Sequence, residues 1–544
     1  MLLFLFRAYA FFLLYSIHVW AWPSVYTLNG PADLPADASD PLSRTLASFS
    51  IETAFLIDFT GNLSTPNGLT RNLLEGLKSR TGIAPEIRIG GDTADSTYWN
   101  ASLDEPLSNF IDNGTLYNTT IGPLFWEAVN LFPATTKITL TLNLEHLNYS
   151  GALEVARAAW DTLGPEHLIA FEIGNEPDHY GIFTIQSYTD IWEQWSANMS
   201  KTLDIRYPEF QLGATADDPL WPYGTEEANA QVDCVSALAA GANNASTVKL
   251  CSEHTYQYSV CDAAEVAVAT LPNLVNHTRL AMYLDLWQPR IRTLREVIGP
   301  ETFNIGEFNS VSCAGKDGVS NTFGQALWLL DTAFYAASIN VAKVFNHQGG
   351  PLTLQSSTQL NHGGLSLYDM WYPVENINGP EQVFPSYSAY LMIAETIGFS
   401  DDLRIAELYP GRQANGSNIT PEFGDTSDGQ LVVYGFWSAA EVHYPVKFAV
   451  LNLQIYNSTE TNITRPDVTV DLKAFLHSSR SILEVRRLTA PGADVKEANV
   501  TTWTGQSYPY GLPVGDIQVE SVIGGNVIVE ASSAVLVTVS AQSK

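Results

Sequence analysis

Positive charge is scarce in this chain: its 544 residues hold 27 Lys and Arg against 58 Asp and Glu, a formal net charge of -31 at pH 7. Such a field repels phosphate backbones and argues against a nucleic-acid partner. It suits a soluble secreted protein that works in acid, where part of the charge is titrated away. Cysteine is also rare. Cys234, Cys251, Cys261 and Cys313 are the whole set, and their spacing matches no zinc site, so no metal or other cofactor is expected. In an oxidising compartment they form up to two disulfides, with three connectivities open. Low-complexity segments are absent, and so is any long apolar run beyond the N-terminus.

That N-terminal run, MLLFLFRAYAFFLLYSIHVWA, carries Arg7, then an apolar stretch, then Val19 and Ala21 at the minus-three and minus-one positions of a cleavage site. Met1 to Ala21 therefore reads as a signal peptide. Arg7 and His18 leave an uncharged span shorter than the roughly 18 to 20 residues a bilayer core requires, so no membrane association is expected after cleavage. About a dozen Asn-x-Ser/Thr sequons, among them Asn62, Asn100, Asn113, Asn118, Asn148, Asn276, Asn457 and Asn499, support secretion independently.

Residues 22–43 are rich in Pro, Asp and Ala, with VYTLN as the one strand-like piece, which could add an edge strand to a distal β domain. From Ser48 a regular alternation begins. SFSIETAFL, EIRIGG, KITLTLNL, LIAFEIGNE, FQLGATADD, KLCSEHTY, TFNIGEFN and AKVFNHQ are eight strand-like runs. Most are separated by helix-like stretches: Leu69 to Arg80, Leu153 to Leu163, Tyr188 to Tyr207, Tyr283 to Ile298 and Gln325 to Ser338, with an eighth helix over Tyr387 to Ile397. Eight such units predict an α/β fold, a (β/α)8 TIM barrel over 44–400. Beyond Gly398 to Arg404 the texture changes to Val-rich period-two runs joined by Gly, Asn, Ser and Thr, which predicts an antiparallel β-sandwich over 401–544.

Within the barrel, FEIGNEPD is an apolar run that stops on Gly174 and presents Asn175 and Glu176. A parallel barrel strand is apolar while inside, and polar groups appear where it emerges at the C-terminal face, the usual place for a catalytic site. Apolar walls around Glu176 would raise its pKa towards the range of a general acid. One carboxylate cannot hydrolyse a glycosidic bond by the common route. TFNIGEFNS supplies a second, Glu307, at the end of strand seven. The bland reading of either glutamate is a helix-start or loop carboxylate; the ordered pair on a βα repeat is the signal against it.

Other polar residues end the strands. Glu52 interrupts FSIETAF, either at a solvated edge or facing substrate. Arg88 and Asp92 flank Gly90 and Gly91 after strand two; a buried Arg88 needs a partner, which is either a catalytic carboxylate or a structural one elsewhere. His254, Tyr256 and Tyr258 end strand six, where the Tyr256 hydroxyl could donate to Glu307 and keep it ionised, while Tyr258 reads as core packing.

FSIE, RIGGD, FEIGNEPD, EHTYQY and NIGEFNSVSC together resemble glycoside hydrolase family 79, the β-glucuronidase and heparanase family of retaining barrel glycosidases. The resemblance covers nearly the whole mature chain. It implies Glu176 as acid/base, Glu307 as nucleophile, Asn175 on the sugar 2-hydroxyl, Tyr256 orienting Glu307, and Glu52 and Asp92 on hydroxyls further round the ring. Members with a glucuronate pocket hold the sugar carboxylate partly through a tyrosine five residues after the nucleophile, a position that is Ser312 here, and through a Gly-Tyr segment after strand eight. In this chain Tyr368 and Tyr372 are displaced from that segment by an inserted stretch; Lys316, His347 and the amides near Gly349 and Gly350 are candidate substitutes. The expectation is a secreted retaining exo-β-glycosidase acting on a carbohydrate or glycoside as a β-glucuronidase. Alternatives are a neutral-sugar β-glycosidase on the same scaffold and a carbohydrate-binding protein without activity.

Overall fold

The computed structural model describes residues 25–113, 115–350, 364–411, 430–460 and 462–540. The expected signal peptide lies outside the described residues, as does the stretch 351–363 after strand eight. Among the described residues no helix is long and apolar enough to cross a membrane.

Eight parallel strands close into a barrel in chain order: Ala47–Glu52, Ile87–Gly90, Ile138–Leu142, Leu168–Ile173, Phe210–Thr215, Val248–Thr255, Phe303–Phe308 and Lys343–Gln348. Strand eight pairs with strand one, Val344 opposite Ala47 and Gln348 opposite Ile51, which completes the ring. Strands two to five are buried along their length or nearly so. Their aliphatic side chains pack outward against helices such as Gly68–Thr81 and Ile185–Thr202, while polar residues occupy the interior near the C-terminal rim. Caps fix several helix starts: the Asn67 side chain accepts from the Thr70 N–H, and Thr184 and Ser187 form a reciprocal box.

Two local features differ from the sequence expectation. The stretch Tyr283 to Ile298 is a short helix His277–Leu284, a single turn Asp285–Trp287, and a second helix Gln288–Val297 that starts where Pro289 breaks the hydrogen-bond ladder. Between strands two and three a small sheet of Thr97–Trp99, Leu107–Asp112 and Thr115–Ile121 rises over the C-terminal face. Its hairpin is anchored to the loop after strand one, where the Asn109 amide donates to the Ala54 carbonyl and Leu116 packs on Ala54 and Phe55.

After helix Ser386–Ile397 comes a seven-stranded antiparallel sheet, from Arg404–Tyr409 to Ser533–Val539 in chain order. Facing it is a three-stranded sheet in which Val25–Thr27 pairs in parallel with Asp467–Asp471. Val433, Phe448, Val450, Val485, Val535 and Val537 from one sheet and Val468, Val470, Val527 and Val529 from the other share one apolar core, a sandwich. Buried His277 joins it to the barrel: Nδ1 lies 3.0 Å from Asp331 and Nε2 3.2 Å from Glu407. Burial alone would depress this imidazole, but the two carboxylates outweigh it and push it up to about 10.

One disulfide forms rather than two. Cys261 and Cys313 are bonded with Cα atoms 5.9 Å apart, whereas Cys234 and Cys251 are buried free thiols. Asn276 is a sequon by sequence but is 4% exposed, and its side chain caps the helix at His277.

Candidate active site

Strand four leaves the barrel through Gly174 and delivers Glu176 in a left-handed backbone conformation, φ 51° and ψ 52°, its N–H donating to the Ala214 carbonyl at 2.8 Å. A non-glycine residue held there costs about 1–3 kcal/mol, a strain that tends to collect at functional positions. Strand seven brings Glu307 to the same place. A carboxylate oxygen of Glu176, one of Glu307 and a ring nitrogen of His254 all lie within 4.8 Å of one another.

Arg88 lies beneath this cluster with a fully buried side chain. Its Nη1 donates to Glu307 Oε2 at 2.7 Å and to Ser50 Oγ at 3.0 Å; Nε donates to Glu172 Oε1 at 2.8 Å, and Nη2 to Asn175 Oδ1 at 2.7 Å. Both readings of Arg88 therefore hold at once, a pairing with Glu307 and a structural one with Glu172. Glu172 is wholly inside strand four and also accepts from Thr141 at 2.7 Å and Gln211 at 2.6 Å. Asn175 is fixed on every side: its amide donates to Asp92 at 3.1 Å, and its N–H faces Asp95 and the Tyr180 hydroxyl.

On the other flank Tyr256 donates to Glu307 Oε1 at 2.9 Å. His347 of strand eight lies between Glu307 Oε2, 3.4 Å from Nδ1, and Glu52 Oε2, 3.1 Å from Nε2. Glu52 also accepts from the Thr93 N–H at 2.6 Å. Gly91, at φ +78°, is required here because a Cβ would stand 1.8 Å from Glu52 Oε2.

The electrostatics separate the carboxylates. Burial raises Glu307, but His347, His254 and Arg88 outweigh it and hold the group below the usual carboxylate range. Asp92 goes the other way, pushed well up by burial and then by Glu176, Glu52 and Glu307. Glu176 departs from the sequence expectation. Burial does raise it, yet hydrogen bonding from His179 and His254 more than cancels that and leaves it depressed. His254 Nδ1 lies 2.9 Å from Glu176 Oε1, and His179 Nδ1 lies 3.3 Å from Oε2. His179 in turn faces Asp217 at 3.4 Å; the bond to Asp217 and then that to Glu176 push it up to about 11. The surroundings of Glu176 are thus imidazoles, not the apolar wall that the preceding run suggested.

Against known proteins, residues 433–536 match the model of the glycosyl hydrolase family 79 C-terminal beta domain. A beta-glucuronidase of Aspergillus niger is 30% identical over 535 residues, covering 91% of this chain and 89% of that protein. The chain belongs to glycoside hydrolase family 79. A beta-glucuronidase of Neurospora crassa is 27% identical over 536 residues, covering 91% of this chain and 90% of its own. The fold likewise matches a solved 4-O-alpha-L-rhamnosyl-beta-D-glucuronidase from Fusarium oxysporum, with a TM-score of 0.72 at 22% identity, over 94% of this chain and 100% of that one. As a member of the family this protein is a glycoside hydrolase with a carbohydrate substrate.

Within the family pattern, the structure gathers Glu52, Arg88, Asp92, Asn175, Glu176, His254, Tyr256 and Glu307 around one point. Ser312 stands apart. It is half-buried beside the Cys261–Cys313 bridge, bound through its backbone to Tyr258 and Val260. Lys316 does not face a substrate either, since Nζ donates to the Val266 and Ala269 carbonyls at 2.7 and 2.8 Å. Tyr368, by contrast, is buried with its ring 6.1 Å from that of His347; burial first and Glu307 second raise its phenol. Sequence reasoning missed Glu172 and Asp95. A glutamate inside an otherwise apolar barrel strand was the available signal for the first; nothing in the sequence marked the second.

Proposed function

We propose that this protein is a secreted retaining exo-β-glucuronidase in which Glu307 is the nucleophile and Glu176 the acid/base. The observation that carries the mechanism is the spacing of the pair. Oxygens of the two carboxylates approach within 4.8 Å, a closeness that supports the retaining arrangement, with carboxyls about 5–5.5 Å apart, over the inverting one, with carboxyls about 6.5–9.5 Å apart. The sugar preference rests on the two β-glucuronidase relatives spanning nine-tenths of the chain. Secretion rests on the leader and the sequons.

In the first step a Glu307 oxygen bonds to the anomeric carbon as the glycosidic C–O bond breaks, and the leaving oxygen takes a proton from Glu176. In the second, water attacks that carbon, gives its proton to Glu176, and the ester to Glu307 breaks. Arg88, Tyr256 and His347 keep Glu307 ionised and aimed. Asn175, held by Arg88 and Asp92, presents its amide to the 2-hydroxyl.

The proton for the first step is stored beside Glu176 rather than on it. His179, half exposed and held protonated by Asp217 and Glu176, keeps it 3.3 Å from the acid oxygen. Below the point at which this pair loses its proton, a constant fraction of enzyme carries it on Glu176. His179→Gln removes the store, so the alkaline limb of the kcat/KM profile moves to lower pH. An unmoved limb contradicts the assignment.

Ser312, turned towards the disulfide, favours a second reading in which a neutral sugar is the substrate. Measuring kcat/KM on nitrophenyl β-glucuronide, β-glucoside and β-xyloside side by side at mildly acidic pH decides between them. The glucuronide is expected to dominate, with Tyr368 and His347 replacing the missing tyrosine; a dominant neutral sugar overturns the glucuronidase reading and leaves the catalytic pair intact.

A further inference from the structure

The single tight turn Asp92–Ser96 that follows strand two grips the exit of strand four at two levels. Asp92 and Asp95 are three apart, and in a 3-10 turn residues three apart stack on one face. Asp92 accepts from the Asn175 side-chain amide at 3.1 Å, and Asp95 Oδ2 from the backbone N–H of the same residue at 3.2 Å. Asp95 Oδ2 also accepts from the Tyr180 hydroxyl at 2.5 Å, and that hydroxyl oxygen shares the Asn175 N–H at 3.0 Å. These three groups close a triangle across the two ends of the loop that carries Glu176 and His179. We propose that Asp95, acting through Tyr180, is the positioning residue that aims Glu176 and its neighbour His179 at the leaving oxygen. The proposal rests on the acid/base role given to Glu176 above and names what holds that group in place.

The left-handed backbone of Glu176 is a conformation that persists only where the surroundings over-determine it. On the side of strand five the loop is tied by the Glu176 N–H on Ala214 and by Asp178 Oδ2, which accepts from the Ala216 and Asp217 N–H groups at 2.9 and 2.7 Å. On the side of strand three the tie is Asp95. Its side chain is buried, Oδ1 accepts from the Leu144 N–H at 3.2 Å, and its carbonyl meets His146 Nδ1 at 2.9 Å. One carboxylate therefore joins the exits of strands two, three and four. The chain passes this point without slack: a Cβ on Gly174, at φ +91°, would stand 3.0 Å from Leu144 and 3.1 Å from the Tyr180 oxygen.

Loss of this tie acts selectively. The Asn175 amide keeps Arg88 and Asp92 without it, so the contact with the sugar survives. Glu307 has its own partners in Arg88 and Tyr256 and is not touched. Glu176 keeps only the anchors on the strand-five side. A displaced acid matters where the leaving group needs a proton and hardly at all where it does not.

Tyr180→Phe removes one hydroxyl and leaves Asp95 its two backbone donors, whereas Asp95→Ala removes the whole tie. For both, and for Glu176→Gln, kcat/KM is measured on the nitrophenyl and methyl β-glycosides of the sugar that the enzyme cleaves, since this ratio reports the first step. The expected loss in the two positioning variants is about tenfold to a hundredfold on the methyl glycoside and less than about threefold on the nitrophenyl one. The double variant is expected to lose no more than Asp95→Ala alone, because both changes cut one connection. Where Glu176→Gln shows the leaving-group contrast, equal losses on the two glycosides in the positioning variants, no loss in either, or losses that add in full overturn the role of Asp95 alone. Equal losses in Glu176→Gln overturn its acid/base assignment and the role of Asp95 with it. If Asp95→Ala does not fold, Tyr180→Phe decides by the same contrast.

Discussion

Glu307→Gln is expected to lower turnover by roughly four to six orders of magnitude, the scale on which loss of a nucleophile acts, while the protein stays folded. The amide keeps the shape of the side chain and can still meet the Tyr256 hydroxyl and Arg88, which now hold it at 2.9 and 2.7 Å. What it cannot do is form the ester. Glu176→Gln gives a different signature. A nitrophenolate leaves without help, so the first step on nitrophenyl glycosides is spared, whereas glycosides with sugar or alkyl leaving groups lose about two to four orders of magnitude. The contrast is read by single-turnover kinetics on both substrate types. Wild-type activity in Glu307→Gln, or equal losses on both leaving groups in Glu176→Gln, contradicts the assigned roles.

The second large effect belongs to Arg88. Arg88→Met leaves Glu172 and Glu307 buried without their cation, a change that costs about 3–5 kcal/mol when one partner of a buried pair is removed. The thermal midpoint falls, and activity drops because Glu307 loses one of the groups that, with His347 and His254, hold it ionised and Asn175 loses its anchor at 2.7 Å. Arg88→Met combined with Glu172→Gln removes one unpaired charge and recovers part of the stability without recovering activity. An unchanged midpoint in the single variant contradicts the hub role of Arg88.

Much of this architecture is legible in the sequence, for a physical reason. A parallel barrel strand must be apolar along its buried length and can turn polar only at its exit, so FEIGNEPD and NIGEFNS announce both the strands and the residues they deliver. The hairpin over 107–121 was missed because its solvent face breaks the barrel's apolar pattern; Asn113-Gly114 between alternating residues was the available turn signal. Side-chain partners across the barrel are less legible. Glu176 follows an apolar run, which suggested a raised pKa, but the groups that set it are His179, three residues on, and His254, from a strand 78 positions later. Ser312 occupies the position where the family pattern has a tyrosine, and only the fold shows Tyr368 arriving beside His347 from the far side of strand eight.

The central claim, a glycosyl-enzyme formed on Glu307 from a glucuronide, is tested most directly by a glucuronyl fluoride whose 2-hydroxyl is replaced by fluorine. Fluoride leaves readily as Glu307 attacks, and the electron-poor ring slows hydrolysis of the ester. Peptide mass spectrometry is expected to find the fluoroglucuronyl group on the peptide containing Glu307, with inactivation in step with labelling. Label on another residue, or unlabelled enzyme that turns over glucuronides in its presence, contradicts the account.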